Sequence, residues 1–578
     1  MTNVEIANIF VRIADILEVK GENIFRVRAY RTASQNILGL SRQLSDVYSK
    51  SPDLLDNISG IGKDLKSKIV EMIETSGLQY FDELVDTLPP GFIDMLNISG
   101  LGPKKLKKLK EELDIENVDD LEKACKSGKV SLIDGMGEKS QEKILSELDH
   151  FRKKQGRMLL PEAYSIAEKI VKYLSESSNF KKIEKAGSLR RGKDTVGDID
   201  ILAVAKDNEK AMDYFADYPE KSKVIVKGST KTSLLLKEGT QVDLRIVDNK
   251  NFGAALQYFT GSKLHNIKVR HIAKKKGYKV NEYGVFSISK KGKEKFAGGK
   301  TEKELYEILG MDYIPPELRE SQGEIEAALK KSLPKKLIKA SDIMGDLHIH
   351  SNATDGRSSI EENIIAAKKK GYEYCAITDH SKLIKISGGM NEKQLLKHVD
   401  NIRKIAKKIK GIKVLAGVEV DVLENGELDL EDYALKELDI VIAAVHSKFL
   451  LDKKKQTERV LKGIDNKYVN ILAHPSGRLI TKRRPLEIDF DKIFKKAVEV
   501  NCFLEINTHG DRIDLNDVNA RRAKELGTKF CINTDAHEVS QLDLIKYGVI
   551  TARRAWLEKQ DVVNTYSYDK MVKALGRG

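Results

Sequence analysis

The first part of the chain alternates apolar and polar positions with the period of an α-helix. VEIANIFVRIADILEV and DLKSKIVEMIET both repeat apolar residues at spacings of three and four, which gives each helix one apolar face. Two prolines and a glycine at 89–91 then interrupt the pattern. We therefore expect residues 1–88 to form a helical domain with a core of its own.

A short turn recurs in this half of the chain. Its copies are NISGIGKDLKSKIVEMI (57–73), NISGLGPKKLKKLKEEL (97–113) and IDGMGEKSQEKILSEL (133–148), each a Gly-apolar-Gly turn that opens a helix. Glycines let the backbone approach a phosphate, and the free N–H groups of the helix N-terminus point at it. The turns resemble the helix-hairpin-helix elements of DNA repair enzymes, which hold the duplex by its backbone. They therefore predict contacts with the DNA backbone rather than with its bases. The residues expected to bind DNA are Gly60, Gly62, Gly100, Gly102, Lys104, Lys105, Gly135 and Gly137, and the later copies define a second domain, 89–155.

From residue 156 helices alternate with strand-like runs such as DIDILAVA, TSLLLK and QVDLRIV. This order favours an α+β sheet domain over 156–250, followed by a smaller domain over 251–317. IPPELRE and the lysine-rich SLPKKLIKASD favour a linker, which we place at 318–339.

The last part of the chain contains seven short apolar runs with helical stretches between them. The runs are MGDLHIH, YCAITDH, KVLAGVEVDV, IVIAAVHS, YVNILAHP, CFLEINTHG and KFCINTDAH. They recur at about 30 residues, the period of a βα unit, and most carry a His, Asp or Glu near the C-terminal end, where a βα barrel places its active site. The pattern predicts a seven-stranded (β/α) barrel over 340–578.

Three carboxylates suggest a metal site in the first sheet. Asp198 and Asp200 alternate along one strand, so both point to the same face, and Asp243 on a neighbouring strand could complete the set. Clustered carboxylates repel one another unless a hard cation neutralises them, and Mg²⁺ bound to phosphate oxygens is the usual partner.

A turn just before these carboxylates offers groups that can hold a triphosphate. Gly187 and Ser188 begin the turn and supply N–H groups and a hydroxyl, while Arg191 lies close enough to neutralise charge. An exposed Asp-x-Asp at a strand end is common on its own. An interpretation as an exposed strand end, however, does not account for the Gly-Ser turn or for the aspartate of the second strand.

The barrel runs collect an unusual set of metal-ligand side chains. Six histidines and three carboxylates lie at or near strand ends: His348, His350, Asp355, His380, Glu419, His446, His474, Asp535 and His537. One such histidine would most often be structural, but nine such residues on one barrel rim point to a metal centre. Mixed imidazole and carboxylate ligands suit Mn²⁺, Zn²⁺ or Fe²⁺ better than Ca²⁺.

Composition narrows the class of protein further. The 578 residues carry a net charge of +14, which favours a polyanionic partner, although a surface rich in Lys and Glu in a thermophile could look similar. Cys125, Cys375, Cys502 and Cys531 form no C-x-x-C pair, so neither a disulfide framework nor a cysteine zinc site is indicated. No apolar run is long enough to span a membrane and no signal peptide is evident, so we expect a cytoplasmic protein without membrane contact. No coiled-coil pattern is evident, and we expect a monomer.

The motifs GSLRRG, GDID, VDLR, YFTGSKLHN (258–266) and GYKVNEYGVF (277–286) resemble those of the family X DNA polymerases, in the order of that family and over about residues 1–317. The resemblance implies a fingers-type domain over 89–155, a nucleotidyltransferase palm over 156–250 and a thumb over 251–317. It implies gapped or primer-template DNA and deoxynucleoside triphosphates as partners. It also implies two Mg²⁺ ions at Asp198, Asp200 and Asp243, one for the primer 3′-hydroxyl and one for the triphosphate. The same resemblance places Gly187, Ser188 and Arg191 at the phosphates, Tyr258 and Phe259 against the sugar, Gly261 and Ser262 in the nucleotide pocket, and Asn266 and Arg270 towards the base and template.

Lys68, in the first turn repeat, matches the position at which some relatives carry a lyase nucleophile that forms a Schiff base with an abasic sugar. The alternative is a helix lysine that faces a phosphate. We prefer the alternative, because a solvated, protonated lysine is a poor nucleophile.

The ordered set HIH, D, TDH, GVEVD, VHS, AHP and TDAH resembles the PHP (polymerase and histidinol phosphatase) domain over about 340–578. The resemblance implies that the nine barrel residues hold up to three ions, Mn²⁺ or Zn²⁺, and hydrolyse phosphoesters. It implies a 3′→5′ exonuclease, with 3′-phosphatase and abasic-site endonuclease as further candidates. Glu505 and His509 have no counterpart among these ligands, and His509 either touches substrate phosphate or is solvated.

Together the motifs predict a gap-filling DNA repair polymerase with a phosphoesterase domain. One rival is a nucleotidyltransferase that acts on RNA or a small molecule and is fused to a phosphatase. The three turns and YFTGS argue against it. A second rival is a DNA-binding scaffold without catalysis, and the intact carboxylates argue against that.

Overall fold

The computed structural model describes most of the chain. It leaves out residues 2, 41–43, 53–54, 56–57, 59, 76, 90–91, 93–94, 97, 99–100, 155–156, 385–386, 481–482 and 577–578, together with the side chains of 4, 39, 46, 49–50, 146 and 149–154. Gly100, one of the expected DNA-binding residues, lies outside the described residues.

The chain begins with two groups of helices, each around its own apolar core. The first group comprises α1 (Asn3–Val19), α2 (Ile24–Gly39), α3 (Leu44–Lys50), α4 (Lys63–Thr75) and α5 (Gln79–Asp86). The second comprises α6 (Pro103–Leu113), α7 (Val118–Lys126) and α8 (Glu138–Lys154). Apolar residues at helical spacing fill each core, such as Ile69 and Met72 of α4 in the first and Leu106 and Leu109 of α6 in the second. Val19 at the end of α1 packs into the second core and so joins the two groups.

A five-stranded sheet follows, which we call the palm by analogy with polymerases. Its elements are β1 (Met158–Leu159), α9 (Leu160–Glu176), β2 (Phe180–Lys185), α10 (Gly187–Arg190), β3 (Thr195–Val196), β4 (Ile199–Ala205), α11 (Asn208–Ala216), β5 (Lys221–Lys227), β6 (Lys231–Leu236) and β7 (Gln241–Ile246). The strand order is β2-β4-β7-β6-β5, and β1 pairs only with β3. β4 and β7 are parallel, while the other neighbours in the sheet are antiparallel. The central strands β4 and β7 therefore end at the same edge of the sheet.

The next region, the thumb, packs three helices against a small antiparallel sheet. It comprises α12 (Phe252–Thr260), α13 (Lys263–Lys275), β8 (Tyr278–Asn281), β9 (Gly284–Ile288), β10 (Glu294–Gly298) and α14 (Glu302–Ile308), with strand order β10-β9-β8. The segment 318–339 that follows carries α15 (Glu324–Leu329). Arg319 and Glu324 in this segment are fully buried and paired with Glu302 and His265 of the thumb.

The last 240 residues form a nearly closed parallel barrel. Its elements are β11 (Gly345–Asp346), α16 (Ile360–Lys369), β12 (Tyr374–Ile377), α17 (Glu392–Ala406), β13 (Lys413–Asp421), α18 (Asp432–Leu435), β14 (Ile440–Ala444), α19 (Lys453–Asp465), β15 (Ile471–Leu472), α20 (Phe490–Glu499), β16 (Phe503–Asn507), α21 (Asp517–Glu525), β17 (Phe530–Asn533), α22 (Ile545–Arg554) and α23 (Tyr568–Ala574). The strands follow one another in chain order, all parallel. A parallel bridge between Ile349 and Ala536 brings the segments after the first and last strands together.

The palm and the barrel share an apolar interface. Ile513 and Tyr547 of the barrel are buried in the same cluster as Leu160 and Leu189 of the palm. The Tyr547 ring meets Tyr164 edge to face, with centroids 5.7 Å apart. Burying apolar side chains between two domains removes them from water and fixes their relative position.

The predicted fold class is confirmed. Helix-hairpin-helix regions precede an α+β palm with its thumb, and the C-terminal part is a seven-stranded parallel barrel built from the seven predicted runs. The four cysteines are free thiols and all are buried. Within the described part of the chain, each helix is too short or too polar to cross a lipid bilayer.

Candidate active sites in the palm and the barrel

The three predicted palm carboxylates meet at one edge of the sheet. Asp200 on β4 lies directly opposite Asp243 on β7, and Asp198 immediately precedes β4. Burial, followed by the negative charges of Asp198 and Asp243, raises the pKa of Asp200 to about 7. A bound cation would relieve this repulsion, so the all-oxygen donor set fits a hard ion such as Mg²⁺.

Asp243 has partners that the sequence pattern did not reveal. Lys231 of β6 lies 2.6 Å from one carboxylate oxygen, and the Gln241 side chain donates to the other at 3.0 Å. Burial on its own raises the pKa of Asp243, but these hydrogen bonds outweigh it and hold the pKa below its ordinary value. Lys231 therefore keeps Asp243 ionised in the absence of a cation.

The Gly-Ser turn lies against the carboxylates. Gly187 has a positive φ of 61°, and a Cβ at this position would come within 2.2 Å of the Asp200 carboxylate. Only glycine allows this approach, which places Ser188 and the short helix α10 beside the metal-ligand candidates.

The two arginines of the turn each pair with a glutamate. Arg190 makes a bidentate pair with Glu302, with both distances 2.7 Å. Arg191, expected to bind phosphate, donates to Glu320 at 2.9 Å and to the Thr260 carbonyl at 2.6 Å. Glu320 therefore competes with a phosphate for the guanidinium of Arg191.

The expected nucleotide-pocket residues lie together where α12 meets α13. Tyr258 and Phe259 lie in the last turn of α12, with ring centroids 5.1 Å apart, and Gly261 links the two helices at a φ of 71°. Ser262 caps α13 by accepting from the N–H of His265. Asn266, one turn into α13, donates to the Tyr258 carbonyl at 2.7 Å and is therefore fixed in place. The last member of the set, Arg270, is exposed further along the same helix.

The described turn glycines have the geometry expected of phosphate contacts. Gly60 and Gly135 have positive φ values of 77° and 80°. A Cβ at Gly62, Gly102 or Gly137 would meet no atom within 4 Å, so the space beside these backbones is open. Each turn leads directly into a helix, at α4, α6 and α8. Lys104 and Lys105, in the first turn of α6, are exposed and half-buried, respectively.

Lys68 is less exposed than a helix-surface lysine. Its side chain is 14% exposed, lies 4.8 Å from the centre of the Tyr80 ring and pairs with Asp64. The Tyr80 ring in turn stacks on Tyr30. An amine half enclosed beside an aromatic ring fits both a phosphate contact and a nucleophile.

The nine predicted barrel ligands gather at the C-terminal ends of the strands. They form three groups whose ligand atoms lie within 4.8 Å of one another: His350 with Asp355, His380 and His537; His348 with His350 and Asp535; and His380 with Glu419 and His446. His474 adds to the third group, because its Nε2 lies 3.0 Å from Glu419. His350 and His380 are each shared by two groups, so the three candidate ion positions adjoin one another.

The protonation of this cluster fits cation binding. Nδ1 of His350 and Nδ1 of His474 are buried and have no hydrogen-bond partner among the described residues. Burial, followed by the charge of His380, lowers the pKa of His350 to about 4, which leaves the neutral imidazole that metals bind. Burial alone would lower the pKa of His380, but Glu419 and Asp355 outweigh it and raise that pKa to about 10. Protons therefore occupy positions between imidazoles and carboxylates that cations can take.

A second layer of carboxylates orients the histidines. Sequence reasoning named Glu505 without finding its role and did not name Asp421. Glu505 on β16 lies 2.8 Å from Nδ1 of His348, and Asp421 at the end of β13 lies 3.1 Å from Nδ1 of His446. Such carboxylate–histidine pairs fix the tautomer and direct the other ring nitrogen to the metal. The signal was present as a second acidic residue in GVEVD and as the glutamate of LEIN, but a strand pattern does not tell an orienting residue from a ligand.

Asp379, next to His380 in the TDH motif, serves the loop that carries Asp355. It accepts hydrogen bonds from Ser351, from Thr354 and from His398 of α17, the last at 2.8 Å. The network ties Asp355 to the barrel through residues that surround it in the sequence.

Comparison with family models assigns four regions of the chain. They are a helix-hairpin-helix domain at residues 1–78, a SAM-like helix-hairpin-helix tandem at 92–149, a DNA polymerase beta thumb at 255–320 and a PHP domain at 346–509. Fold and sites together define a multidomain polymerase-type protein with a phosphoesterase-type metal centre.

Among individual proteins, the chain is 38% identical over 565 residues to the DNA polymerase/3′-5′ exonuclease PolX of Bacillus subtilis (strain 168), covering 97% of each chain. It is 31% identical over 231 residues to a probable phosphatase of Thermoanaerobacter sp. (strain X514), covering 38% of this chain and 89% of that protein. A probable phosphatase of Caldanaerobacter subterraneus subsp. tengcongensis is 32% identical over 241 residues, which cover 40% of this chain and 90% of the relative. The chain belongs to the PolX family of DNA polymerases with a PHP domain.

Proposed function

We propose that the protein fills short gaps in DNA during repair and that its barrel removes nucleotides from 3′ ends. Two separate sets of candidate metal ligands support the proposal: Asp200 opposite Asp243 on β4 and β7, with Asp198 just before β4, and the histidines and carboxylates that cluster on the barrel rim. The similarity to a polymerase with 3′-5′ exonuclease activity over almost the whole chain supports the same assignment.

In the palm, Asp198, Asp200 and Asp243 would hold two Mg²⁺ ions, which supply Lewis acidity towards the primer 3′-hydroxyl and the triphosphate. Ser188 and the N–H groups of the Gly187 turn would hold the triphosphate oxygens. Tyr258, Phe259, Gly261, Ser262, Asn266 and Arg270 would shape the deoxynucleotide pocket, and Arg191 would join once it leaves Glu320.

In the barrel, the nine rim residues would hold up to three ions, Mn²⁺ or Zn²⁺, which supply an activated hydroxide and stabilise the oxygens of a phosphoester. Glu419 lies within reach of His380, His446 and His474, so it holds the cluster together from the middle of the sheet. The same site would accept a 3′-phosphate, which is a monoester, or an abasic-site phosphodiester, since both present non-bridging phosphate oxygens to the ions.

The remaining proposals concern partners and organisation. The helix-hairpin-helix turns would hold gapped or primer-template DNA by its backbone, and Lys68 would face the phosphate on the 5′ side or act as a lyase. The domain bounds proposed are 1–88, 89–155, 156–250, 251–317 and 340–578, with 318–339 between thumb and barrel. We place the protein in the cytoplasm as a monomer.

The deciding experiment uses a gapped duplex with a mispaired, labelled 3′ end. Three proteins are compared with and without deoxynucleotides, in Mg²⁺ and in Mn²⁺: wild type, Asp198→Ala with Asp200→Ala, and His348→Ala with His350→Ala. We expect the aspartate variant only to shorten the primer and the histidine variant only to extend it.

A matched control replaces Asp217 and Asp248 by Ala, because these palm carboxylates are 82% and 70% exposed and lie outside the proposed site. It should behave as wild type. If the histidine variant still removes nucleotides, the barrel cluster acts on another phosphoester and the exonuclease proposal is wrong. If the aspartate variant still extends the primer, the polymerase assignment is wrong.

A further inference from the structure

A charged side chain at the barrel rim has no role in the sites described so far. Arg512 lies in the turn between β16 and α21, where its N–H donates to the His509 carbonyl at 2.9 Å. The side chain is 17% exposed, and Nε lies 3.8 Å from a carboxylate oxygen of Asp535, one of the rim ligands. This distance is too long for a hydrogen bond, so Asp535 does not satisfy the guanidinium.

One nitrogen of Arg512 is buried without a partner. Among the residues that the structure describes, its terminal Nη1 donates to no carbonyl, carboxylate or hydroxyl oxygen. A buried cationic N–H left unpaired is costly, since the group has lost its water and gained nothing in return. Next to a metal cluster, the partner that would satisfy it is an anionic ligand.

The surroundings of the guanidinium favour a phosphate as that ligand. An arginine fork matches two phosphate oxygens, and the charge beside the cluster offsets that of an incoming phosphodiester. The neighbouring cation, Arg483, stacks on the Phe449 ring at 3.8 Å and donates to the Gly477 carbonyl, so it is already engaged. The adjacent His509 faces Asp511 at 2.9 Å, which leaves Arg512 as the better placed donor.

The turn that carries Arg512 is fixed from the palm side. Ile513, the next residue, is 1% exposed and buried in the palm core cluster. Arg478 donates to the carbonyl of Arg512 at 3.0 Å and pairs with Asp194 of the palm at 3.0 Å. The backbone at and just after Arg512 is therefore held by contacts that lead to the palm.

We propose that Arg512 binds a non-bridging oxygen of the phosphate group hydrolysed at the barrel metal centre, and that docking of the palm holds it there. The proposal rests on the phosphoesterase function proposed above. Arg512 touches the substrate and is therefore a catalytic residue, while Ile513 and Arg478 are positioning residues.

The test compares Arg512→Gln and Arg512→Lys with wild type on a labelled 3′ end in Mn²⁺. We expect Arg512→Gln to lower kcat/KM for nucleotide removal about 100-fold, the usual effect of losing one charge-stabilising donor. Arg512→Lys should recover part of the loss, because it keeps the charge but not the fork. Extension by the palm should not change. Arg522→Gln is the matched control, since that arginine pairs with Asp491 on the outer face of α21.

Two binding measurements separate the possible failures. Calorimetry should give the same Mn²⁺ affinity for wild type and Arg512→Gln, and a binding of inorganic phosphate to the Mn²⁺-loaded protein that is at least about 10-fold weaker in the variant. Equal phosphate binding overturns the proposal, and a parallel loss of Mn²⁺ affinity shows that Arg512 supports the ligands instead. If wild type removes no nucleotide, the exonuclease function fails, while the phosphate titration still decides the role of Arg512.

Discussion

Glu505 offers the sharpest test of how the barrel centre is built. Its carboxylate is fully buried and accepts four hydrogen bonds. The donors are Nδ1 of His348 at 2.8 Å, the backbone N–H of His474 at 2.9 Å, and the side chains of Asn507 and Asn533 at 3.1 and 2.9 Å. Replacing Glu505 by Gln keeps the size of the side chain, removes the charge and turns one acceptor into a donor.

The expected cost follows from these contacts. Hydrogen bonds to a charged group contribute about 1.5–3 kcal/mol each and neutral ones about 0.5–1.5 kcal/mol, so two weakened bonds amount to about 2 kcal/mol. That free energy corresponds to about 30-fold in an equilibrium constant, within the range of about 10–100-fold found when residues that orient metal ligands are replaced. We therefore expect Glu505→Gln to bind Mn²⁺ about 30-fold more weakly.

Calorimetric titration of the metal-free protein with Mn²⁺ measures this change directly, and removal of nucleotides from a labelled 3′ end should fall in parallel. Extension by the palm should be unaffected. Glu499→Gln is the control, because Glu499 is 68% exposed at the end of α20. Metal affinity within threefold of wild type would refute the reasoning, since His348 would then need no orienting carboxylate.

Three further predictions concern the polymerase half. Burial alone would raise the pKa of Glu302, but Arg319 and Arg190 lower it from 4.5 to about 2, so its stabilisation is present above pH 4.5 and is lost as the pH falls towards 2. Glu302→Gln should lower the free energy of unfolding by about 3 kcal/mol at pH 7, and urea unfolding followed by circular dichroism should show the deficit narrowing below pH 4.5. Lys68→Ala should abolish reductive trapping on an abasic-site 5′-phosphate while DNA binding survives, and persistent trapping excludes the lyase role. Glu320→Gln should lower the KM for the deoxynucleotide about threefold in gap-filling kinetics by releasing Arg191, and an unchanged KM means that the two anions do not compete.

Much of the architecture could be predicted from local patterns. The barrel ligands were identifiable because each lies at or near the end of an apolar run, and parallel strands bring those ends to one rim. Asp198 and Asp200 were identifiable because a strand alternates its side chains between two faces. In the structure both patterns lead to clustered side chains, with Asp200 opposite Asp243.

The missed residues act through contacts between distant parts of the chain. Lys231 reaches Asp243 from the neighbouring strand. In the sequence, nothing distinguishes Lys231 from the solvated lysines near it. Glu505 lies inside an apolar strand, and only its contact with His348 in the folded chain shows that it orients that histidine. Arg319 lies in the segment 318–339, whose proline and lysines are typical of a linker, and pairs with Glu302 of the thumb. No local sequence pattern indicates that this segment packs against the thumb.

The two active sites are joined by more than a linker. Arg554 of α22 in the barrel donates to the carbonyl of Arg191 at 2.8 Å and to Glu320 at 3.0 Å, so a barrel helix supports the turn expected to hold the triphosphate. Gly192 lets this contact form, because a Cβ there would lie 2.0 Å from the Ile550 side chain of α22. In the opposite direction, the palm core encloses Ile513 and so fixes the turn of the barrel rim that carries Arg512. Each domain thus supplies part of the support for a loop in the other's site, and a change in their docking would alter nucleotide addition and phosphoester hydrolysis together.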